Sequence, residues 1–284
     1  MRTAIASRLY RSMTRCGLPC LLAMMLIILS ACAEGQSAAP ATSGGESGGA
    51  EPPTELIVSA AASLKETLEE AGRRFEASHP GVRLRFNFGG SGALVQQLEQ
   101  GAPADLFISA AREPMERLVH KGVVAEQDIR VLLRNSLVLI ERKGSAHIRQ
   151  PGDITGEQVR IVAVGQPETV PAGSYAREAL EHVGLWEAVE TKAVYAKDVT
   201  AVLTYVESGN ADAGFVYETD ALQSDQVETV LRLDPELHSP IEYPAAVPLI
   251  ASHPKEAAEL LAFLSTDEVK DIFEQAGFVV MEGM

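Results

Sequence analysis

Five times along this chain a short apolar run breaks off in a small or polar turn, and a helical pattern or a loop follows. The clearest instance is Phe86-Asn87-Phe88-Gly89-Gly90-Ser91-Gly92-Ala93-Leu94-Val95-Gln96-Gln97-Leu98-Glu99-Gln100-Gly101. Residues 83–88 alternate polar with apolar side chains, the period of a half-buried strand, and 94–100 carry apolar residues at helical spacing. A strand that passes through a glycine-rich turn into a helix leaves unpaired backbone N–H groups at the helix start, beside the positive end of the helix dipole. Such a place accommodates an anion. Glycine lets a ligand approach the backbone closely, and Ser91 adds a hydroxyl donor. Taken alone, the plainer reading of that serine is a helix cap.

The other four places repeat the pattern. A buried strand at 56–60 leads into Ala61-Ala62-Ser63 and an amphipathic helix at 64–77, with Leu64, Leu68, Ala71 and Phe75 on one face. A strand at 160–164 runs into an irregular stretch, 165–173, that holds Ala172-Gly173, and a helix at 174–183 follows. A strand at 192–195 precedes Asp198, a good N-cap for a helix at 199–207. A strand at 213–216 ends at Tyr217. Further strands are expected at 105–109, 136–140 and 245–250, and further helices at 114–121, 254–264 and 267–275. Strands alternating with helices throughout predict an α/β architecture. In open parallel sheets, ligands sit beyond the carboxyl ends of the strands, where helix N-termini converge. The candidate residues are therefore Ser63, Ser91, Ala172-Gly173, Asp198-Val199 and Tyr217, and none is lysine, arginine or histidine. Neutral donors and helix ends of this kind suit a small, fully ionised oxyanion.

The N-terminus reads as an address. Arg2, Arg8, Arg11 and Arg15 form a basic head, and the apolar run 18–29 is too short to span a bilayer comfortably, as in a secretory signal. The run ends in Leu29-Ser30-Ala31-Cys32, which resembles the lipobox of bacterial lipoproteins. That resemblance implies removal of residues 1–31 and acylation of Cys32, and several acyl chains give durable membrane attachment. Residues 32–54 are rich in Ala, Gly, Ser and Pro, a flexible tether. Cys16 and Cys20 lie in the segment to be removed, so the mature body has no thiol for disulfides, nucleophilic chemistry or zinc. The net charge is −15, and the leader holds four arginines and no acid, which leaves the remainder near −19. Such a surface repels nucleic acid.

Val58-Ser59-Ala60-Ala61-Ala62-Ser63-Leu64, the turn around Ser91, and Gly101-Ala102-Pro103-Ala104-Asp105-Leu106-Phe107-Ile108-Ser109-Ala110 together resemble the molybdate-binding receptors of bacterial molybdate ABC importers. Val170-Pro171-Ala172-Gly173-Ser174-Tyr175-Ala176, Asp198-Val199 and Gly214-Phe215-Val216-Tyr217 continue the likeness in the same order. The resemblance implies a type II periplasmic-binding-protein fold: two α/β lobes joined by two crossings, with the ligand cleft between them. Residues 55–135 and 243–284 would form one lobe and 136–242 the other. It also implies which groups hold the tetrahedral anion: the hydroxyls of Ser63 and Ser91, the backbone N–H groups of Ala172 and Val199, and the hydroxyl of Tyr217. The metal would arrive as oxyanion, with no direct metal ligand and no cofactor. The implied partners are molybdate or tungstate, a permease and its ATPase, and the membrane through the lipid, with the receptor itself monomeric. Some members carry a run of serines where this chain has one serine among Gly89, Gly90 and Gly92.

No acid stands at the five matched positions. A carboxylate would accept the proton of hydrogen phosphate but would repel a dianion, so molybdate, tungstate or sulfate fits better than phosphate. Residue types leave these three open, and the resemblance alone favours molybdate. Two other classes compete. Gly89-Gly90-Ser91-Gly92-Ala93 nearly matches the nucleophile elbow of serine hydrolases, but Ala93 replaces its last glycine. The late histidines, His238 and His253, sit in turn-like stretches without a paired acid. A metal or siderophore receptor is the other class, and the six histidines show no close ligand pairing.

Overall fold

The computed structural model describes residues 52–281. The expected leader, Cys32 and most of the tether lie outside the described residues, as do residues 282–284. Among the described residues, no helix is long and apolar enough to cross a membrane.

The strands are β1 (Thr54–Ala61), β2 (Val82–Gly89), β3 (Leu106–Ile108), β4 (Arg130–Arg134), β5 (Leu137–Arg142), β6 (Val162–Gly165), β7 (Ala193–Ala196), β8 (Ala213–Tyr217), β9 (Val227–Arg232), β10 (Glu242–Ala246) and β11 (Val279–Val280). The helices are α1 (Lys65–Ser78), α2 (Ser91–Glu99), α3 (Arg112–His120), α4 (Pro171–His182), α5 (Trp186–Glu190), α6 (Val199–Glu207), α7 (Glu218–Leu222), α8 (Pro254–Phe263) and α9 (Asp267–Gln275). Six strands form one sheet in the order β11-β4-β10-β3-β1-β2, and five form a second in the order β7-β6-β8-β5-β9. β1 is parallel to β2 and β3, and β6 is parallel to β7 and β8. β10 and β11 run antiparallel to their neighbours in the first sheet, as β5 does to β8 and β9 in the second. The chain leaves the first sheet between Arg134 and Leu137 and returns between Arg232 and Glu242. The result is a mixed α/β, two-lobed molecule with two crossings.

Hydrophobic patterning accounts for most elements. The half-buried helix α1 seats Leu68, Ala71 and Phe75 against the first sheet, and β1, β3, β6 and β8 are apolar almost throughout because both sheet faces are covered. Several elements depart from expectation. The strand expected at 245–250 lies earlier, at Glu242–Ala246, while Leu249 and Ile250 are 64% and 51% exposed. Pro244 hides that strand from pattern reading, since proline lacks a ladder N–H, and the pairing with β4 accommodates it by a register shift between Tyr243 and Pro244. β4 and β9 carry charged residues within very short apolar patterns and gave no clear signal. Helix α4 begins at Pro171 rather than Ser174, because proline is preorganised for the first helical position.

That early start matters for the site. α4 rises so close to the end of β6 that a Cβ on Gly173 would lie 1.8 Å from the Gly165 carbonyl oxygen. Only glycine fits there.

Candidate functional site

The carboxyl ends of β1, β2, β6 and β8 open on one small cavity between the two sheets, lined by Ala61, Ala62, Ser63, Gly89, Gly90, Ser91, Ala110, Val170, Pro171, Ala172, Val199 and Tyr217. The five residues that the resemblance implies, Ser63, Ser91, Ala172, Val199 and Tyr217, are on this wall, whereas Gly173 and Asp198, which the turn pattern also offered, are not. The space open to the centre of a water-sized sphere is about 10 Å³. A compact ion suits it; a sugar, a peptide or a siderophore is far too large. Among the described residues, no charged side chain and no histidine lines the cavity.

Each wall residue arrives through a distinct local device. Ser63 sits in a single 3₁₀ turn, Ala62–Leu64, that carries β1 into α1, and its Oγ lies 3.0 Å from the Tyr243 hydroxyl. Ser91 is the first residue of α2, after Gly90 as N-cap, and its side chain makes no capping bond. Instead the Ser91 Oγ accepts the Ala110 N–H at 3.0 Å. A hydroxyl that already accepts keeps its own proton to donate. The helix-cap reading of this serine therefore does not hold.

The second sheet contributes mainly backbone. Ala172 is the second residue of α4, where an N–H has no intrahelical acceptor. The neighbouring N–H groups of Gly173 and Ser174 turn to Val170 O at 2.9 and 3.2 Å, and none of the described hydrogen bonds uses that of Ala172. Val199 opens α6, whose N-cap is Asp198 with its carboxylate accepting the Ala201 N–H at 2.8 Å. Asp198 thus acts on its own helix, and the Val199 N–H has no acceptor among the described residues. Four helix starts, those of the 3₁₀ turn, α2, α4 and α6, meet at the cavity.

Tyr217 ends β8, is 1% exposed, and its hydroxyl has no hydrogen-bond partner among the described residues. Burial pushes that phenol well above its ordinary range, and the nearby Tyr243, Tyr175 and Asp220 add to the effect. It therefore stays protonated, a donor without an acceptor. Leaving such a group buried costs about 1–3 kcal/mol unless something fills the role. Asp220 sits behind it, its Oδ2 accepting the Tyr217 N–H at 3.2 Å. Burial pushes the Asp220 carboxyl up to about 7, against the lowering effect of that hydrogen bond, and the charge of Asp198 adds.

The glycines around Ser91 have a role beyond ligand approach. The Gly92 N–H donates to Thr169 O across the two sheets at 2.9 Å. A Cβ on Gly90 would lie 2.7 Å from Thr169 O, and one on Gly92 would lie 2.8 Å from Thr169 Cα. The turn carrying the second serine is thus also a seam against the opposite loop. Two further participants were not among the sequence candidates: Tyr243, hidden in the proline-bearing strand, and Ala110, which ends the stretch 101–110 that carries the resemblance and contributes a backbone N–H.

Residues 56–279 match the family model described as bacterial extracellular solute-binding protein. The chain is 43% identical over 224 residues to the "Putative ABC transporter substrate-binding lipoprotein YvgL" of Bacillus subtilis (strain 168), covering 78% of this chain and 85% of that protein. It is 35% identical over 230 residues to the molybdate-binding protein ModA of Haemophilus influenzae, covering 79% of this chain and 89% of that one. The structure of the Azotobacter vinelandii periplasmic molybdate-binding protein superposes with a TM-score of 0.72 at 24% identity, over 80% of this chain and 99% of the other. The last likeness speaks to the fold, a periplasmic-binding-protein architecture.

Proposed function

The chain belongs to the bacterial extracellular solute-binding protein family, and on that premise we propose that it is an extracytoplasmic receptor that captures molybdate for an ABC importer. The observation that carries this reading is the Tyr217 hydroxyl: fully buried, protonated, without a partner among the described residues, and part of a cavity wall whose other donors are uncharged. A tetrahedral dianion supplies acceptors in every direction and needs no acceptor in return. The relatives named for molybdate binding support this guest over the smaller sulfate; tungstate, of the same shape and charge, is expected to enter as well.

In this reading Ser63 and Ser91 donate hydroxyl protons, Ala172 and Val199 donate backbone N–H groups, and Tyr217 donates its phenol. Residues 55–135 with 243–284 form the lobe that carries the serines, and 136–242 form the lobe that carries the rest. The anion bridges them, so binding favours the approached state of the lobes through the extra contacts made there. That state is what a permease with its ATPase would accept. Lipid on Cys32 would hold the monomeric receptor at the membrane, a role that the lipoprotein name of the Bacillus relative supports.

Thermal unfolding with molybdate, tungstate, sulfate and phosphate tests the ligand. A guest at a hundred times its Kd stabilises by about 2.7 kcal/mol; molybdate and tungstate should raise the midpoint strongly and phosphate should not. A rise with phosphate and none with molybdate would overturn the proposal. The anchor is tested separately: Cys32→Ala should move the protein from the membrane fraction to the soluble one with its affinity unchanged, and retention in the membrane defeats that assignment.

A further inference from the structure

We propose that Tyr243 and Asn135 form a positioning relay that turns the Ser63 hydroxyl proton toward the bound anion, an inference that rests on the oxyanion reading of the cavity. The argument follows the hydrogens. Asn135 occupies the crossing between β4 and β5, and its Oδ1 accepts the Ser136 N–H at 2.8 Å. That bond identifies the oxygen end of the amide, so the other end is the NH2 group. Its nitrogen lies 2.9 Å from Thr219 Oγ1 and 3.2 Å from the Tyr243 hydroxyl, one partner for each of its two hydrogens.

An amide nitrogen only donates, so the Tyr243 oxygen must accept from Asn135. Tyr243 is completely buried, and among the described residues its hydroxyl has one other neighbour at hydrogen-bond distance, Ser63 Oγ at 3.0 Å. The phenol proton therefore goes to Ser63; the reverse arrangement would leave it buried with no acceptor, which costs free energy. Ser63 Oγ is then an acceptor from behind, and its own proton is left for the cavity it lines. Burial also pushes the Tyr243 phenol far above its ordinary range, so it stays protonated throughout the accessible pH range. The direction Asn135 to Tyr243 to Ser63 polarises each bond in the same sense.

This arrangement parallels that of Ser91, whose oxygen accepts the Ala110 N–H. The difference is reach. The relay to Ser63 begins at a chain crossing and is tied through Thr219 to α7 beyond the second sheet, so the setting of one donor depends on residues of both.

A double-mutant cycle read by titration calorimetry with molybdate tests the relay. Tyr243→Phe should weaken binding roughly three- to tenfold, the range of one buried hydrogen bond. In a Ser63→Ala background the same change should weaken it less than twofold, because the relay then ends on nothing. Effects that multiply would show that Tyr243 acts independently of Ser63 and would overturn the inference. Where Tyr243→Phe fails to fold, as judged by melting without ligand, Asn135→Ala takes its place in the cycle with the same expectations. If the unmodified chain gives no heat with molybdate, the molybdate reading falls, and the cycle is run with tungstate or sulfate, whichever binds. If none of the three binds, Ser63 faces no anion and both readings fall.

Discussion

The two halves of the cavity are built differently. On the side of the first sheet, the donors are side-chain hydroxyls already engaged from behind, Ser91 by the Ala110 N–H and Ser63 by Tyr243. On the side of the second sheet, the donors are backbone N–H groups at helix starts and a phenol with no partner among the described residues. The hydroxyl oxygens of the first half have a partner in the protein before a guest arrives, and among the described residues the phenol of the second has none. The serines are therefore held in orientation by the fold, whereas Tyr217 costs stability that only a ligand offsets. Removing a hydroxyl should consequently change the ligand-free stability with opposite sign in the two halves, downward for Ser91 and upward for Tyr217.

The largest effect is expected where the second half is anchored. Gly173→Ala should cost about 3 kcal/mol or more of unfolding free energy in urea, since its Cβ would lie 1.8 Å from a backbone oxygen that cannot move independently. A loss under about 1 kcal/mol would mean that α4 can lift off β6, and the rigid placement of the Ala172 N–H would be wrong. Next is Ser91→Ala. It should weaken anion binding by roughly 1.5–3 kcal/mol, as for a hydrogen bond to a charged group, and should also lower stability by about 1–3 kcal/mol because the Ala110 N–H is stranded. Loss of binding without loss of stability would remove the distinction between the halves.

Asp220 sharpens the comparison through pH. Its folded pKa, about 7, is above the ordinary 3.8, so the folded state holds the proton more tightly than the unfolded chain does. Stability is then highest below the unfolded value, falls as pH rises through the interval, and carries the full penalty above about 7. Asp220→Asn should remove a slope of about 2–3 kcal/mol between pH 5 and pH 8 in urea unfolding curves. Parallel curves for the two proteins would show that the carboxyl is not held in this way. The smallest effect is the most diagnostic. Tyr217→Phe should weaken binding yet leave the ligand-free protein about 1 kcal/mol more stable, because it deletes a donor that has no partner among the described residues. A loss of stability in calorimetric melting would point to a partner for that hydroxyl within the protein.

Much of this was legible in the sequence because the site is built from chain turns, which have local signatures. The glycine-flanked Ser91, the alternation of strand and helix, and Asp198 as a cap are all visible in short windows. What escaped depends on contacts distant in sequence. The hydrogen bond between Ser63 and Tyr243 joins residues 180 positions apart, and Tyr243 itself lies in a strand that Pro244 disguises. The glycines of the Ser91 turn were readable as room for a ligand, but their second use, facing Thr169, needs the opposite loop in place. The early start of α4 was missed because a proline at a first helical position also reads as a loop residue.

The seam between Gly92 and Thr169 has a further consequence. Its contact is main chain to main chain, with no room for a side chain between, so that flank offers no small gate that could swing aside. An ion held as proposed would leave on that side only if the two sheets separated there, so emptying the cavity through this flank would mean moving the protein and not a gate.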